Sequence, residues 1–108
     1  MYPKSENKNK LKAKLFKALS DPVRLDILEF LCDGEKCVCE IIPHLKLVQP
    51  LVSRHLKILK DCGIVSYRKE GNRRLYSITN QQIFRIIDDV TPELVDACTE
   101  KMLEQMEE

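Results

Sequence analysis

The hydrophobic residues of this chain change their spacing twice, and those changes constrain the fold more than any single residue does. Up to Gly63 they recur every three or four positions, as on helices: Leu11, Leu15, Phe16 and Leu19, then Val23, Ile27, Leu28 and Leu31, then Val52, Leu56 and Leu59. Beyond it they alternate, in Ile64-Val65-Ser66-Tyr67-Arg68 and Arg74-Leu75-Tyr76-Ser77-Ile78, around a turn at Glu70-Gly71-Asn72. After Asn80 the helical spacing returns through Ile83, Ile86, Ile87 and Val90. One hairpin set into an otherwise helical chain of 108 residues predicts a single domain, mainly α with a small β wing, α+β in class.

Local signals place the boundaries. Asp21-Pro22 restarts the chain after a first helix ending near Ser20: Asp21 can cap, and proline suits a first helical position, where its missing N–H is not needed. Asp33-Gly34 ends the second helix. A short third helix is expected from about Cys37 to Leu45, weakened in its second half by Pro43. A fourth runs from Gln49-Pro50 to Cys62 and stops at Gly63. Two short helices on a tight connection, the second basic outside, make a helix-turn-helix over about 37–62, and the hairpin over about 64–79 is its wing. Thr91-Pro92-Glu93 looks like a fresh cap, so the tail is expected to be two helices with a bend. The expected architecture is a dimeric winged helix-turn-helix, with about residues 11–20 and 80–108 expected as its dimerisation helices.

A net charge of +1 conceals strong segregation. Residues 49–79 carry seven basic groups against Asp61 and Glu70, whereas residues 80–108 carry two against eight acids. A basic middle between acidic segments suits a nucleic-acid-facing surface. Gln49 can pair with adenine, Arg54 with guanine, and Ser53 with a base or a phosphate. His55 either reaches phosphate or packs at the helix edge, and Lys57 falls on the outer face. Arg68, Lys69, Arg73 and Arg74 crowd the hairpin tip, where they would grip the backbone beside the groove. A single module offers few such contacts, so useful affinity for double-stranded DNA favours a two-fold dimer on two half-sites. No apolar run approaches the ~20 residues of a membrane span. The first fourteen residues have no signal-peptide core. No membrane association and a cytoplasmic location are therefore expected.

Five cysteines, an odd number in a chain of this kind, argue against a disulfide framework. Cys37 and Cys39, one residue apart and about ten residues ahead of the DNA-reading stretch that opens at Gln49, form a candidate site for a soft ligand such as arsenite, antimonite, cadmium, lead or zinc. On an ideal helix residues two apart point about 200° apart, so one ligand would have to unwind the first turn to hold both. Trivalent arsenic favours three sulfurs, and Cys32 is the nearest third thiol in sequence, with Cys98 of a second subunit as the other choice. Cys62 is expected to pack as a small core residue.

These segments resemble the ArsR/SmtB transcriptional repressors. The resemblance rests on Leu15-Phe16-Lys17-Ala18-Leu19-Ser20-Asp21-Pro22-Val23-Arg24-Leu25-Asp26-Ile27-Leu28 and on Gln49-Pro50-Leu51-Val52-Ser53-Arg54-His55-Leu56-Lys57-Ile58-Leu59. It continues through Gly63-Ile64-Val65 and the wing, covering about residues 15–79. It implies a homodimer that binds operator DNA and releases it when an inducer binds. Glu35-Lys36-Cys37-Val38-Cys39-Glu40-Ile41 is similar to the thiolate motif of the family's arsenic and cadmium/lead sensors, which carries Cys37 and Cys39 over as ligands. The chain departs from the pattern at Ile42, where one branch has a third cysteine, and in having no N-terminal cysteine segment. At Val48 the family usually has a serine cap. The tail, residues 80–108, holds no histidine, so the family's Asp/His metal site is not expected.

Three other functions compete. The same DNA module could respond to oxidants or persulfide, with Cys32–Cys37 or an inter-subunit bridge favoured over a small Cys37–Cys39 ring. A thiol enzyme would need Cys-x-x-Cys spacing or a catalytic base beside the thiols, and neither is present. A winged helix that binds only protein would fail to bind DNA even at low salt.

Overall fold

The computed structural model describes residues 7–107; Met1–Glu6, part of the lysine-rich start of the chain, and Glu108 lie outside the described residues. The elements run α1 (Lys8–Leu19), α2 (Pro22–Phe30), β1 (Lys36–Cys37), α3 (Val38–Leu45), α4 (Gln49–Asp61), β2 (Val65–Glu70), β3 (Arg73–Ile78), α5 (Gln82–Asp88) and α6 (Pro92–Met106). This is the mainly α, winged arrangement that the two changes of spacing imply. None of the described helices is long and apolar enough to cross a membrane.

Asp21 caps α2 as its position suggests, its carboxylate accepting from the N–H of Val23 at 2.8 Å and of Arg24 at 3.2 Å. Pro43 is accommodated inside α3, which then ends at Lys46 in the left-handed region, φ 58°. That turn, Lys46 to Val48, swings the chain into α4. Gly63, φ 75°, closes α4 where a side chain would be strained.

The core lies under the helix-turn-helix. Ile27, Leu28 and Leu31 of the α2 region meet Ile41 of α3, Val52, Leu56 and Leu59 of α4, and Ile64 and Val65 at the base of the wing. Cys62 packs against this core, half-buried, as a small residue was expected to. β2 and β3 pair antiparallel from Val65↔Ile78 out to Glu70↔Arg73, leaving Gly71-Asn72 as the turn.

One element departs from expectation. Lys36 and Cys37 form a third strand on the far edge of β3, opposite Tyr76 and Leu75, giving the sheet order β1-β3-β2. The third helix therefore starts at Val38, and Cys37 is its cap rather than its first residue. α6 contributes nothing to the core: none of its residues is buried, and Leu94, Val95, Met102, Leu103 and Met106 are exposed.

Candidate nucleic-acid interface and thiol site

α4 is anchored by Val52, Leu56 and Leu59, spaced four and three residues apart, which turns Gln49, Ser53, Lys57 and Lys60 outward. These four side chains form one wall of a cleft. The wing residues Asn72, Arg73 and Arg74 form another, and Cys37 and Cys39 lie at the α3 end. Five of the nine sequence-derived DNA residues, Gln49, Ser53, Lys57, Arg73 and Arg74, are thus gathered in one place beside the cysteine pair. Arg54 and Lys69 are exposed but outside its lining.

The basic groups are not all free. Lys57 is paired one turn on with Asp61 at 2.8 Å, which pushes the lysine's pKa up and the carboxyl's down. Arg74 lies over the Tyr67 ring, 5.0 Å from its centre. Arg68 makes a two-point pair with Glu35, Nη2 to Oε1 at 2.6 Å and Nε to Oε2 at 3.1 Å, and it donates to Glu70 at 3.1 Å. The hydrogen bond from Arg68 holds the Glu35 carboxyl below the usual carboxylate range, and Arg68 is pushed up in turn.

His55 is a correction. It is 9% exposed and turned toward α2, where its Nδ1 lies 3.1 Å from Nη1 of Arg24. The side chain sits in the four-residue register of the buried leucines, so it packs and does not reach outward to phosphate. Arg24 in turn donates through Nε to the Ala18 carbonyl at 2.6 Å, which ties the end of α1 to α4. Sequence reasoning passed over Arg24, whose partners are 6 and 31 residues away.

The thiol site also differs from the helical picture. Cys37 is extended, φ −71° and ψ 147°, and caps α3: its sulfur accepts the Cys39 N–H at 3.1 Å, while Glu40 Oε1 accepts the Cys37 N–H at 2.9 Å. Being outside the helix, Cys37 is not constrained to point about 200° from Cys39. The two Cα atoms are 5.0 Å apart and the sulfurs are joined as a disulfide. Neither the unwinding of a helical turn nor the preference for a Cys32–Cys37 bridge survives this geometry.

Cys32 is the second correction. It remains a free, exposed thiol in a groove between α2 and α5, lined with Leu25, Phe84 and Ile87, and not in the cleft of Cys37 and Cys39. The turn after α2 and strand β1 carry the chain from one face to the other between the two positions. Among the described residues no three His, Cys, Asp or Glu side chains are grouped as a metal site. Cys98 is exposed on α6. His44, expected on the surface, is there, stacked on Phe30 with ring centres 3.8 Å apart.

Residues 21–67 match the family described as "Bacterial regulatory protein, arsR family". An uncharacterized HTH-type transcriptional regulator of Methanocaldococcus jannaschii is 50% identical over 76 residues, which is 69% of this chain and 85% of the relative. The arsenical resistance operon repressor of Staphylococcus xylosus is 42% identical over 67 residues, 62% of this chain and 64% of the repressor. Among solved structures, this fold is similar to the homodimeric winged helix-turn-helix DNA-binding domain of a possible ArsR-family transcriptional regulator from Mycobacterium bovis. That match has a TM-score of 0.69 at 30% identity and covers 97% of this chain and 95% of that one.

Proposed function

The chain belongs to the ArsR/SmtB family of DNA-binding transcriptional repressors, which are regulators and not enzymes, and we propose that a soft, thiol-seeking species bound at Cys37 and Cys39 releases it from its operator. The observation that carries this reading is the shared cleft: the two sulfurs lie side by side in the same hollow as the outward side chains of the recognition helix and the wing arginines. On this reading Gln49, Ser53 and Arg54 address base edges, while Lys57, Arg68, Lys69, Arg73 and Arg74 hold phosphates. α1 and the α5–α6 tail join two subunits.

Arsenite or antimonite, or a cation such as cadmium, lead or zinc, is the inducer class that thiolates select. Once a reductant has opened the Cys37–Cys39 disulfide to two thiols, two S–H groups can replace two hydroxyls of arsenite, releasing two waters, and the third position stays an oxygen or is taken by Cys98 across a dimer. The test is fluorescence-anisotropy binding to DNA from upstream of the protein's own gene, in reductant, titrated with arsenite and then cadmium. Release at near-stoichiometric inducer is expected. Cys37→Ser and Cys39→Ser should each keep DNA binding and lose release; a variant that still dissociates normally places the site elsewhere.

A second reading is favoured by the Cys37–Cys39 disulfide itself: the same pair acts as a redox or persulfide switch. Tight DNA binding indifferent to arsenite and cadmium but lost on addition of peroxide or polysulfide would select it.

A further inference from the structure

The segment carrying the cysteines is built into the wing. Cys37 sits opposite Leu75 in the β1–β3 ladder, and Leu75 in turn sits opposite Arg68 of β2 and two residues from Arg73. The acids that bracket the cysteine pair reach across the same seam. Glu35 holds Arg68 at two points, at 2.6 and 3.1 Å. Glu40 Oε1, which accepts the Cys37 N–H at 2.9 Å, also lies 3.8 Å from Nη2 of Arg73. Glu70, at the wing tip, touches both arginines, at 3.1 and 3.8 Å. Each arginine is thus shared between a wing acid and an acid of the thiol segment.

We propose that Glu35 and Glu40 are the positioning residues that couple the cysteine pair to DNA: with the two sulfurs drawn together they hold Arg68 and Arg73 back from phosphate, and with the sulfurs apart they let go. This rests on the reading of Cys37 and Cys39 as the inducer site, and it gives that site a route to the wing through β1 and the cap of α3.

The physical case has three steps. The Arg68 fork, filled by the Glu35 carboxylate, cannot also make a two-point grip on a phosphate, while Glu40 and Glu70 at 3.8 Å compete for Arg73 by charge alone. Exposed ion pairs of this kind are individually weak, so a phosphate is a real competitor and small changes in geometry decide which partner wins. The geometry of Glu40 is set by Cys37, because its carboxylate is fixed by the Cys37 backbone N–H in the cap of α3. A ligand that pulls the Cys37 sulfur toward Cys39 therefore settles the residue that orients Glu40. Through β1 the same pull bears on Glu35, two residues back. Cys37 is 2% exposed while Cys39 is exposed, so the ligand enters from the Cys39 side and the buried partner carries the response inward to the sheet.

The test uses the full chain carrying Glu35→Gln together with Glu40→Gln, with cadmium chloride as the probe. Glutamine keeps the capping hydrogen bond at the third helical position while removing the charge, so α3 is retained. Cadmium binding is read from the sulfur-to-metal absorbance band without DNA, and DNA binding from anisotropy across a salt series. Wild type should bind cadmium and lose DNA affinity, by roughly 5- to 150-fold if the coupling is of ordinary size. The double variant should bind cadmium equally, bind DNA at least as tightly as wild type when metal-free, and lose no more than a minor part of that affinity when loaded. The salt dependence should agree: cadmium should flatten the log–log slope of wild type by about two, near one per arginine withheld, and leave the variant's slope unchanged. If both proteins bind cadmium and release DNA alike, the coupling runs elsewhere and this proposal falls while the thiol site stands. If wild type neither binds cadmium nor releases DNA, the functional reading falls and takes the coupling with it.

Discussion

Val48 stands where the recognition helix needs a cap and supplies none. It has the extended backbone of a capping residue, φ −76° and ψ 148°, but no side chain accepts from the first turn of α4, and its own side chain is 67% exposed. Nothing in the core would be lost by exchanging it. Val48→Ser should therefore stabilise the protein by about 1 kcal/mol, seen as a higher urea midpoint with an unchanged slope. His55 makes the opposite case. Its ring packs against the Arg24 guanidinium, Nδ1 to Nη1 at 3.1 Å, with an Asp21 carboxylate oxygen 3.9 Å from the same nitrogen. Removing that ring leaves the largely buried guanidinium of Arg24 short of a partner, and His55→Ala should cost roughly 2 kcal/mol in the same measurement. Asp21 gives an acid dependence. Burial raises its pKa, but the N–H groups of Arg24 and Val23 outweigh this and hold it below its ordinary 3.8. With the folded value below the unfolded one, the contribution is complete above the unfolded pKa and fades as pH falls through the folded one. Asp21→Asn keeps a good capping residue and should flatten the loss of urea midpoint between about pH 5 and 3; a variant as acid-sensitive as wild type would mean other carboxylates carry that slope.

At the scale of elements, what the sequence made legible followed from repetition. α2, α4 and the wing each show several turns or alternations of pattern, and each appears close to where its spacing puts it. β1 has only two residues, Lys36 and Cys37, too few to show an alternation, and its pairing with β3 is decided by a partner some forty residues away. The cap of α3 was available all the same: Cys37 and Glu40 have the three-residue spacing of a capping box, with sulfur where serine or threonine usually stands. Reading it would have moved Cys37 out of the helix and brought the two sulfurs together. Arg24–His55 and Glu35–Arg68 were not legible, because charge and burial partners far apart in sequence leave no periodic mark. The recognition helix itself yields a prediction at this scale. Its outward face is set by the burial of Val52, Leu56 and Leu59, so Arg54, exposed near its start, should be a base contact and not a general cation. Arg54→Ala should weaken binding to the specific site by ~1–3 kcal/mol while changing affinity for unrelated DNA far less. Equal losses on both would make it a phosphate contact.

The whole molecule is more open than a compact domain of its length. Its radius of gyration is 16.5 Å, against about 13 Å for a compact domain of this length, and its longest extent is 58 Å. Two of its helices, α1 and α6, leave apolar faces uncovered. α6 runs fifteen residues without a buried side chain, yet Leu94, Val95, Met102, Leu103 and Met106 recur at helical spacing, and α1 exposes Leu11 and Phe16 in the same way. An apolar stripe of this length left in water is unfavourable at about 25 cal/mol for each Å², so these faces call for a second apolar surface. The homodimeric M. bovis structure, which this chain matches over 97% of its length, makes a second copy the fitting occupant. Two subunits would also place two copies of α4 on one duplex, and the second contact would then be made at high effective concentration. A charge in the middle of the stripe should undo both at once. Leu103→Asp should yield a folded monomer by sedimentation, with the helix content of wild type. Its affinity for a two-half-site operator should fall by about 100-fold or more, toward the affinity of wild type for a single half-site. A variant that stays dimeric would put the interface on another face, and a monomer that binds the full operator undiminished would mean that one winged helix suffices.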